Sequence, residues 1–226
     1  MKTIGMIGGV TWESTKDYYR IINELTREQL GGVHSAKIIL YSVDFDFILS
    51  SGWQQKIDLL REKAQLLERA GADCLIICAN TLHKLYNEIQ SVVDIPIIHI
   101  ADAVGSTIHK KGLHKVGLLG TRPTMEEDFY KKRLKDKFDI DTIVPDEDSR
   151  IFIQKVIYKE LAKGNFLEES KKRYIEICNN LIANGAEGII LGCTEIPLLI
   201  SQNDFSIPVF NTTFIHASAA VDFALK

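Results

Sequence analysis

Cys193 sits in the stretch ILGCTEI, directly after a glycine and at the end of an apolar run, and is followed by Thr194 and Glu195. A sulfur at a strand end, near backbone N–H groups and the positive end of a short helical segment, should fall below a free thiol's pKa of about 8.5 and could act as a base. A buried structural cysteine fits the same pattern. A near copy of the setting occurs in ICANTLHK, residues 77–84, but there Cys78 comes one place early and Ala79 takes the matching position. A methyl group neither takes nor gives a proton. Asn80 and Thr81 supply an amide, a hydroxyl and backbone donors that suit a carboxylate, and Thr81 also reads as the N-cap of the helix LHKLYNEIQ. Adjacent strand residues face opposite ways, so Cys78 is expected to point into the core.

The elements that must carry these residues follow from periodicity. Strands are predicted at 3–7, 36–43, 74–78 and 95–100, with amphipathic helices between them, and the order starts again with strands at 115–119, 141–144, 188–191 and 207–210. Apolar runs without polar alternation suit parallel strands covered on both faces. IGMIGG parallels VGLLGT at an offset of 112 residues, GADCLIICANT parallels GAEGIILGCTE at 114, and DIPIIHI parallels SIPVFNT at 112. These matches predict an internal duplication: two similar three-layer α/β domains with mainly parallel four-stranded sheets, related by a pseudo-twofold axis. The first is expected to comprise 1–99 plus 212–226, with the C-terminal helix returning to it, and the second 100–211. Ligands of open α/β sheets bind beyond the carboxyl ends of strands. The active site is therefore expected in the cleft between the domains, at loops 8–14, 79–83, 120–124 and 193–196.

Composition narrows the function. With 226 residues, 46% hydrophobic and 25% charged, the chain can bury a sizeable core. A net charge of -3 argues against a nucleic-acid partner, and KKRLKDK and KKRY read as solvated helix faces. No apolar run reaches membrane-spanning length and the N-terminus reads as a strand, so no membrane is expected and the cytoplasm is the default. Cys74, Cys78, Cys178 and Cys193 lie inside regular elements, which suits a reducing compartment, and no ligand set for a metal is evident. The six histidines are scattered, each better read as a cap, core partner or surface residue. Dinucleotide, Walker A, zinc-protease and serine-hydrolase motifs are absent, so no cofactor is expected.

Over its whole length the chain resembles the aspartate/glutamate racemase family. IGMIGGVTWEST resembles that family's opening signature, NTLHK its first-domain motif and GCTEI its second, while GTRPTME and EGIILGCTE point to the broad-specificity or acidic amino-acid branch. The resemblance implies a cofactor-independent, PLP-free racemase acting on an α-amino acid, acidic by preference, in a homodimer. It further implies that one residue at each domain's strand end faces Cα, one abstracting the α-proton and the other delivering a proton to the opposite face. By motif, Cys193 is the second-domain acid/base and Ala79 occupies the first. Val10, Thr11 and Trp12 line the substrate, as do Thr194 and Glu195. Asn80, Thr81 and Thr121 hold its carboxylate and amino groups, and Lys163 in KELAKG meets a side-chain carboxylate. Ala79 departs from the family's cysteine or threonine, which implies slow or direction-biased turnover. Whether that alanine is native or engineered is open at this stage. Two other readings stand beside this one: a one-cysteine decarboxylase or isomerase of the same superfamily, and a non-catalytic amino-acid binding protein.

Overall fold

Aliphatic runs lacking polar alternation become the central strands of two parallel sheets. The computed structural model describes residues 1–226, which divide into one unit of Met1–His99 with Thr213–Lys226 and another of Ile100–Thr212. In the first unit β1 (Ile4–Gly8) lies between β2 (Ile38–Ser42) and β3 (Cys74–Ile77), both parallel to it. The remaining elements as far as residue 90 are α1 (Trp12–Leu30), α2 (Phe45–Ser50), α3 (Trp53–Arg69), a 3-10 turn at Thr81–Leu85 and α4 (Tyr86–Gln90). Side chains alternate across β3 as the pleat requires. Leu75, Ile77 and Ala79 pack with Leu60, Ala64 and Leu67 of α3, whereas Cys74, Ile76 and Cys78 pack with Tyr18 and Ile22 of α1.

A fourth strand at 95–100 is expected here, and the first sheet has only three. Pro96 has no N–H to give a ladder, and the segment keeps one bridge, Leu75 with Ile97. The Gln90 side chain takes over the rest: its Nε2 donates to the carbonyls of Val93 and Ile95, and its Oε1 accepts from the Ile97 N–H. Ile100 opens a helix instead of closing a strand.

The second unit runs through α5 (Ile100–Lys110), β4 (Lys115–Gly120), α6 (Arg122–Glu126), α7 (Asp128–Phe138), β5 (Asp141–Ile143), α8 (Glu147–Lys159), α9 (Glu168–Ala183), β6 (Ile189–Gly192) and β7 (Val209–Asn211). Its sheet has the expected four parallel strands, in the order β5-β4-β6-β7. Ile153, Val156 and Ile157 of α8 and Tyr174, Ile177 and Leu181 of α9 cover one face. Gln202 repeats the Gln90 device, donating to the Phe205 and Ile207 carbonyls and accepting from the Val209 N–H. The basic stretch KKRLKDK is not wholly solvated. Arg133 and Lys137 of α7 bind Asp102 of α5, and although burial opposes its ionisation they hold that carboxyl below its ordinary range. No helix is long and apolar enough to cross a membrane.

The chain ends in α10 (Thr212–Ala224), which returns to the first unit and lays Ala217, Ala220, Val221 and Ala224 against Ile4, Met6 and Tyr18. Small residues at near-helical spacing let its backbone approach closely. His216 latches the helix in place: its Nε2 meets the Ile98 carbonyl at 2.7 Å and its Nδ1 meets the Tyr18 hydroxyl at 2.9 Å. A carbonyl only accepts, so Nε2 carries the hydrogen, and Nδ1 of the neutral ring accepts from Tyr18. Burial, helped by His83, pulls the His216 pKa from 6.5 down to about 3, against the opposing bond to Ile98. A folded-state pKa below the unfolded one contributes stability at neutral pH that is lost as pH falls from 6.5 towards 3. By about pH 4.5 the loss should be on the order of 2–3 kcal/mol. His216→Gln, which keeps a donor for Ile98, should flatten this acid limb in denaturant titrations; an unchanged difference between neutral and acid stability would refute the assignment.

Candidate active site

The second unit builds its polar knot directly after β6. Gly192 is paired with Gly120 of β4, and a Cβ at Gly192 would lie 2.6 Å from the Leu119 carbonyl oxygen, so this crossing of strand ends admits only glycine. The chain then turns, with the Ile196 N–H donating to the Cys193 carbonyl, and the next side chains fold onto one another. The Cys193 Sγ–H and the Thr194 hydroxyl each donate to Oε2 of Glu195, both at 2.9 Å. Cys193, Thr194 and Glu195 are all buried.

This arrangement overturns the expectation of an acidified thiol. Burial raises the Cys193 pKa well above its ordinary value, and the Glu195 charge and the bond to its carboxylate add to the rise. The Thr194 and Glu195 backbone N–H groups do pull downward, as their place at the strand end suggests, but they lose. At neutral pH Cys193 is therefore a thiol whose proton already points at an acceptor. Moving that proton across 2.9 Å would create a thiolate and a carboxylic acid without bulk water.

Thr121 caps β4 beside this knot. It is buried, its Oγ1 lies 3.1 Å from Thr124 Oγ1, and the following N–H, that of Arg122, donates to Gln154 Oε1 on α8. One helical turn along α8 stands Tyr158, whose phenol is pushed up by burial and then by its nearness to Cys193 and Glu195. Sequence reasoning missed Gln154 and Tyr158; their four-residue spacing, facing the strand ends, is the signal that could have found them. Lys163 is exposed on the 3-10 turn Leu161–Lys163, and its ammonium makes no ion pair and no contact with the knot.

In the first unit β1 and β3 end side by side, and the Cys78 N–H donates to the Ile7 carbonyl. Gly9 turns the chain after β1 at φ 88°, and a Cβ there would strike the Val43 carbonyl oxygen. Val10 packs against the core facing α3, and Thr11 caps α1, its Oγ1 accepting from the Ser14 N–H. Its carbonyl accepts from Thr15 Oγ1, which in turn accepts from the Gly9 N–H. Trp12 is 65% exposed, with Lys16 over its ring. After β3, Ala79 is 6% exposed on the α3 side, while Cys78 lies on the opposite face, fully buried, its thiol made a weaker acid by that burial. Cys78 thus cannot stand in for Ala79. Asn80 is buried and Thr81 half-buried. The N-cap falls on Asn80, not Thr81, in a helical backbone with no side-chain cap bond, because a 3-10 turn starts at once.

Three histidines that look scattered along the chain come together beneath Ala79. The His83 ring centroid is 4.7 Å from that of His99 and 5.4 Å from that of His216, and Tyr86 closes over His99 at 4.9 Å. They do not form a metal site, since no group of three His, Cys, Asp or Glu side chains has ligand geometry. The position of His83, four residues after Ala79, was the available sequence signal.

The thiol chemistry is testable in isolation. Because its pKa is raised, Cys193 should react with iodoacetamide at about pH 7.5 more slowly than a free thiol, and the rate should climb with pH. Glu195→Gln removes the nearby charge, so its Cys193 should react faster than the parent protein's at equal pH. A parent Cys193 that alkylates faster than free cysteine, scored on its own peptide by mass spectrometry, would contradict the pKa assignment.

Known proteins share this fold and sequence. The chain has a TM-score of 0.93 and 48% identity, over 100% of both chains, with a Yersinia pestis protein described as a candidate Asp/Glu racemase. With an aspartate racemase homologue from Pyrococcus horikoshii OT3 the values are 0.89 and 38%, again over 100% of both. A broad specificity amino-acid racemase from Bacillus subtilis (strain 168) is 22% identical over 223 residues, 96% of each protein. The model of the Asp/Glu/hydantoin racemase family matches residues 7–220, and the chain belongs to that family.

Proposed function

We propose that this protein racemises an α-amino acid, acidic by preference, by proton transfer at Cα, with Cys193 as the acid/base on one face. The observation that carries the reading is the Cys193–Glu195 pair, a buried thiol 2.9 Å from a carboxylate at a strand end of a family member. Glu195 takes the sulfur proton, the thiolate removes the α-hydrogen, and the electron pair moves into the substrate carboxylate. Returning the proton from sulfur restores the amino acid. Thr194 steadies Glu195. Thr121, Asn80 and Thr81 are proposed to donate to the substrate carboxylate, where negative charge builds, and preorganised donors of this type contribute strongly in water-poor sites. Val10, Thr11 and Trp12 are proposed to border the substrate, with Lys163 swinging in to a side-chain carboxylate.

Ala79 holds the position that the family motif gives to a second acid/base, and its methyl group moves no proton, so the second proton transfer falls to water and net inversion is slow. The polar character of Asn80, Thr81 and Thr121 fits a retained carboxylate better than the apolar pocket a decarboxylase needs, and the thiol–carboxylate pair gives a pure binding protein no advantage.

Chiral chromatography of aspartate and glutamate incubations supplies the test. Cys193→Ala should lower racemisation by about 10³-fold or more, and Ala79→Cys should raise it by about 10²-fold by supplying the missing acid/base. Lys163→Ala should raise KM for acidic substrates only. Racemisation that survives Cys193→Ala would eliminate the proposal.

A further inference from the structure

We propose that His83 is a positioning residue, which aims the Asn80 backbone N–H by holding the carbonyl of Ala79. The inference rests on the racemase reading for its kinetic consequence but not for its geometry. His83 is 2% exposed, and its Nδ1 lies 2.7 Å from the Ala79 carbonyl oxygen. Only the nitrogen can donate in that pair, so Nδ1 carries the hydrogen. The peptide joining Ala79 to Asn80 is planar and, in a trans unit, its C=O and N–H point in opposite directions. Fixing the oxygen against His83 therefore fixes the opposite direction for the Asn80 N–H, a backbone donor that the racemase reading aims at the substrate carboxylate.

The surroundings of His83 show why the ring can hold one orientation. His99 packs on it with planes tilted by 56°, and His216 meets it edge-on at 69°. His216 is itself immobilised by Ile98 and Tyr18, which carries the restraint into α10 and α1. Filling this space with leucines would avoid desolvating three imidazoles, so the polar array is a costly way merely to pack a core. His83 and His216 instead grip backbone at the edge of β3, His83 at Ala79 and His216 at Ile98, which bonds to Leu75. With no side-chain group at Ala79 to engage a substrate, the direction of the next peptide N–H matters more here than it would beside a cysteine.

The test compares His83→Asn, whose side-chain amide donates from nearly the place of Nδ1, with His83→Leu, which fills space without a donor. The full-length protein is assayed for racemisation of aspartate and glutamate, with thermal melts and the Asn80 amide peak in ¹⁵N-resolved NMR as companion readouts. His83→Leu should lose about 10²-fold in kcat with KM nearly unchanged and a displaced Asn80 peak. His83→Asn should restore most of both. If the leucine variant does not fold, His83→Gln, with its amide one bond farther out, takes its place and should be as slow. A His83→Leu protein with parental kcat and amide shift, or a folded His83→Asn no better than leucine, would overturn the proposal. If the parent racemises nothing, the racemase reading fails, and the Asn80 peak alone decides the positioning claim.

Discussion

Everything at the first strand end depends on the pleat of β3. A strand buried on both faces sends successive side chains to opposite layers, so only one residue of each adjacent pair can look the same way as Ala79. Cys74, Ile76 and Cys78 belong to the layer beneath α1 and α10, and Leu75, Ile77 and Ala79 to the layer beneath α3. The sulfur adjacent in sequence to Ala79 is thereby assigned to the core. Sliding β3 by one residue would rescue Cys78 only by exchanging every other side chain between the two layers.

The second unit solves the same strand-end problem with different consequences. Gly192 lets β6 cross close to β4, the turn that follows folds Cys193 and Thr194 onto the Glu195 carboxylate, and burial excludes the water that would otherwise stabilise a thiolate. Backbone N–H groups at a strand end acidify a thiol when they act alone. Here burial first, and then the Glu195 carboxylate at hydrogen-bond distance, reverses the sign. The result is a protonated sulfur hydrogen-bonded to a carboxylate that can take its proton.

Much of this was legible in the sequence, for identifiable reasons. Long apolar runs such as IGMIG and CLII could only be buried parallel strands, and the GCTEI and NTLHK loops follow β6 and β3 as their spacing demands. The strand expected at 95–100 is reduced to one bridge, Leu75 with Ile97, and the chain enters a helix at Ile100. The expected acidification of the thiol failed because burial of Cys193, and after it the Glu195 carboxylate that the turn brings onto the sulfur, outweigh the backbone N–H groups. His83, His99 and His216 share no sequence pattern; only the return of α10 to the first unit brings the third ring to the other two.

The central claim is the proposal that Cys193 moves the α-proton and that Ala79 supplies no second acid/base. Isotope partition in D₂O probes it most directly. Starting from each pure enantiomer of aspartate or glutamate, deuterium at Cα is measured at early times separately in the recovered substrate and in its mirror image. The account predicts that for one enantiomer, the one whose α-hydrogen meets Cys193, label accumulates in recovered substrate faster than in product, because the carbanion is reprotonated on the face it left. Label confined to the product from both enantiomers, as two opposed acid/bases would give, would contradict it.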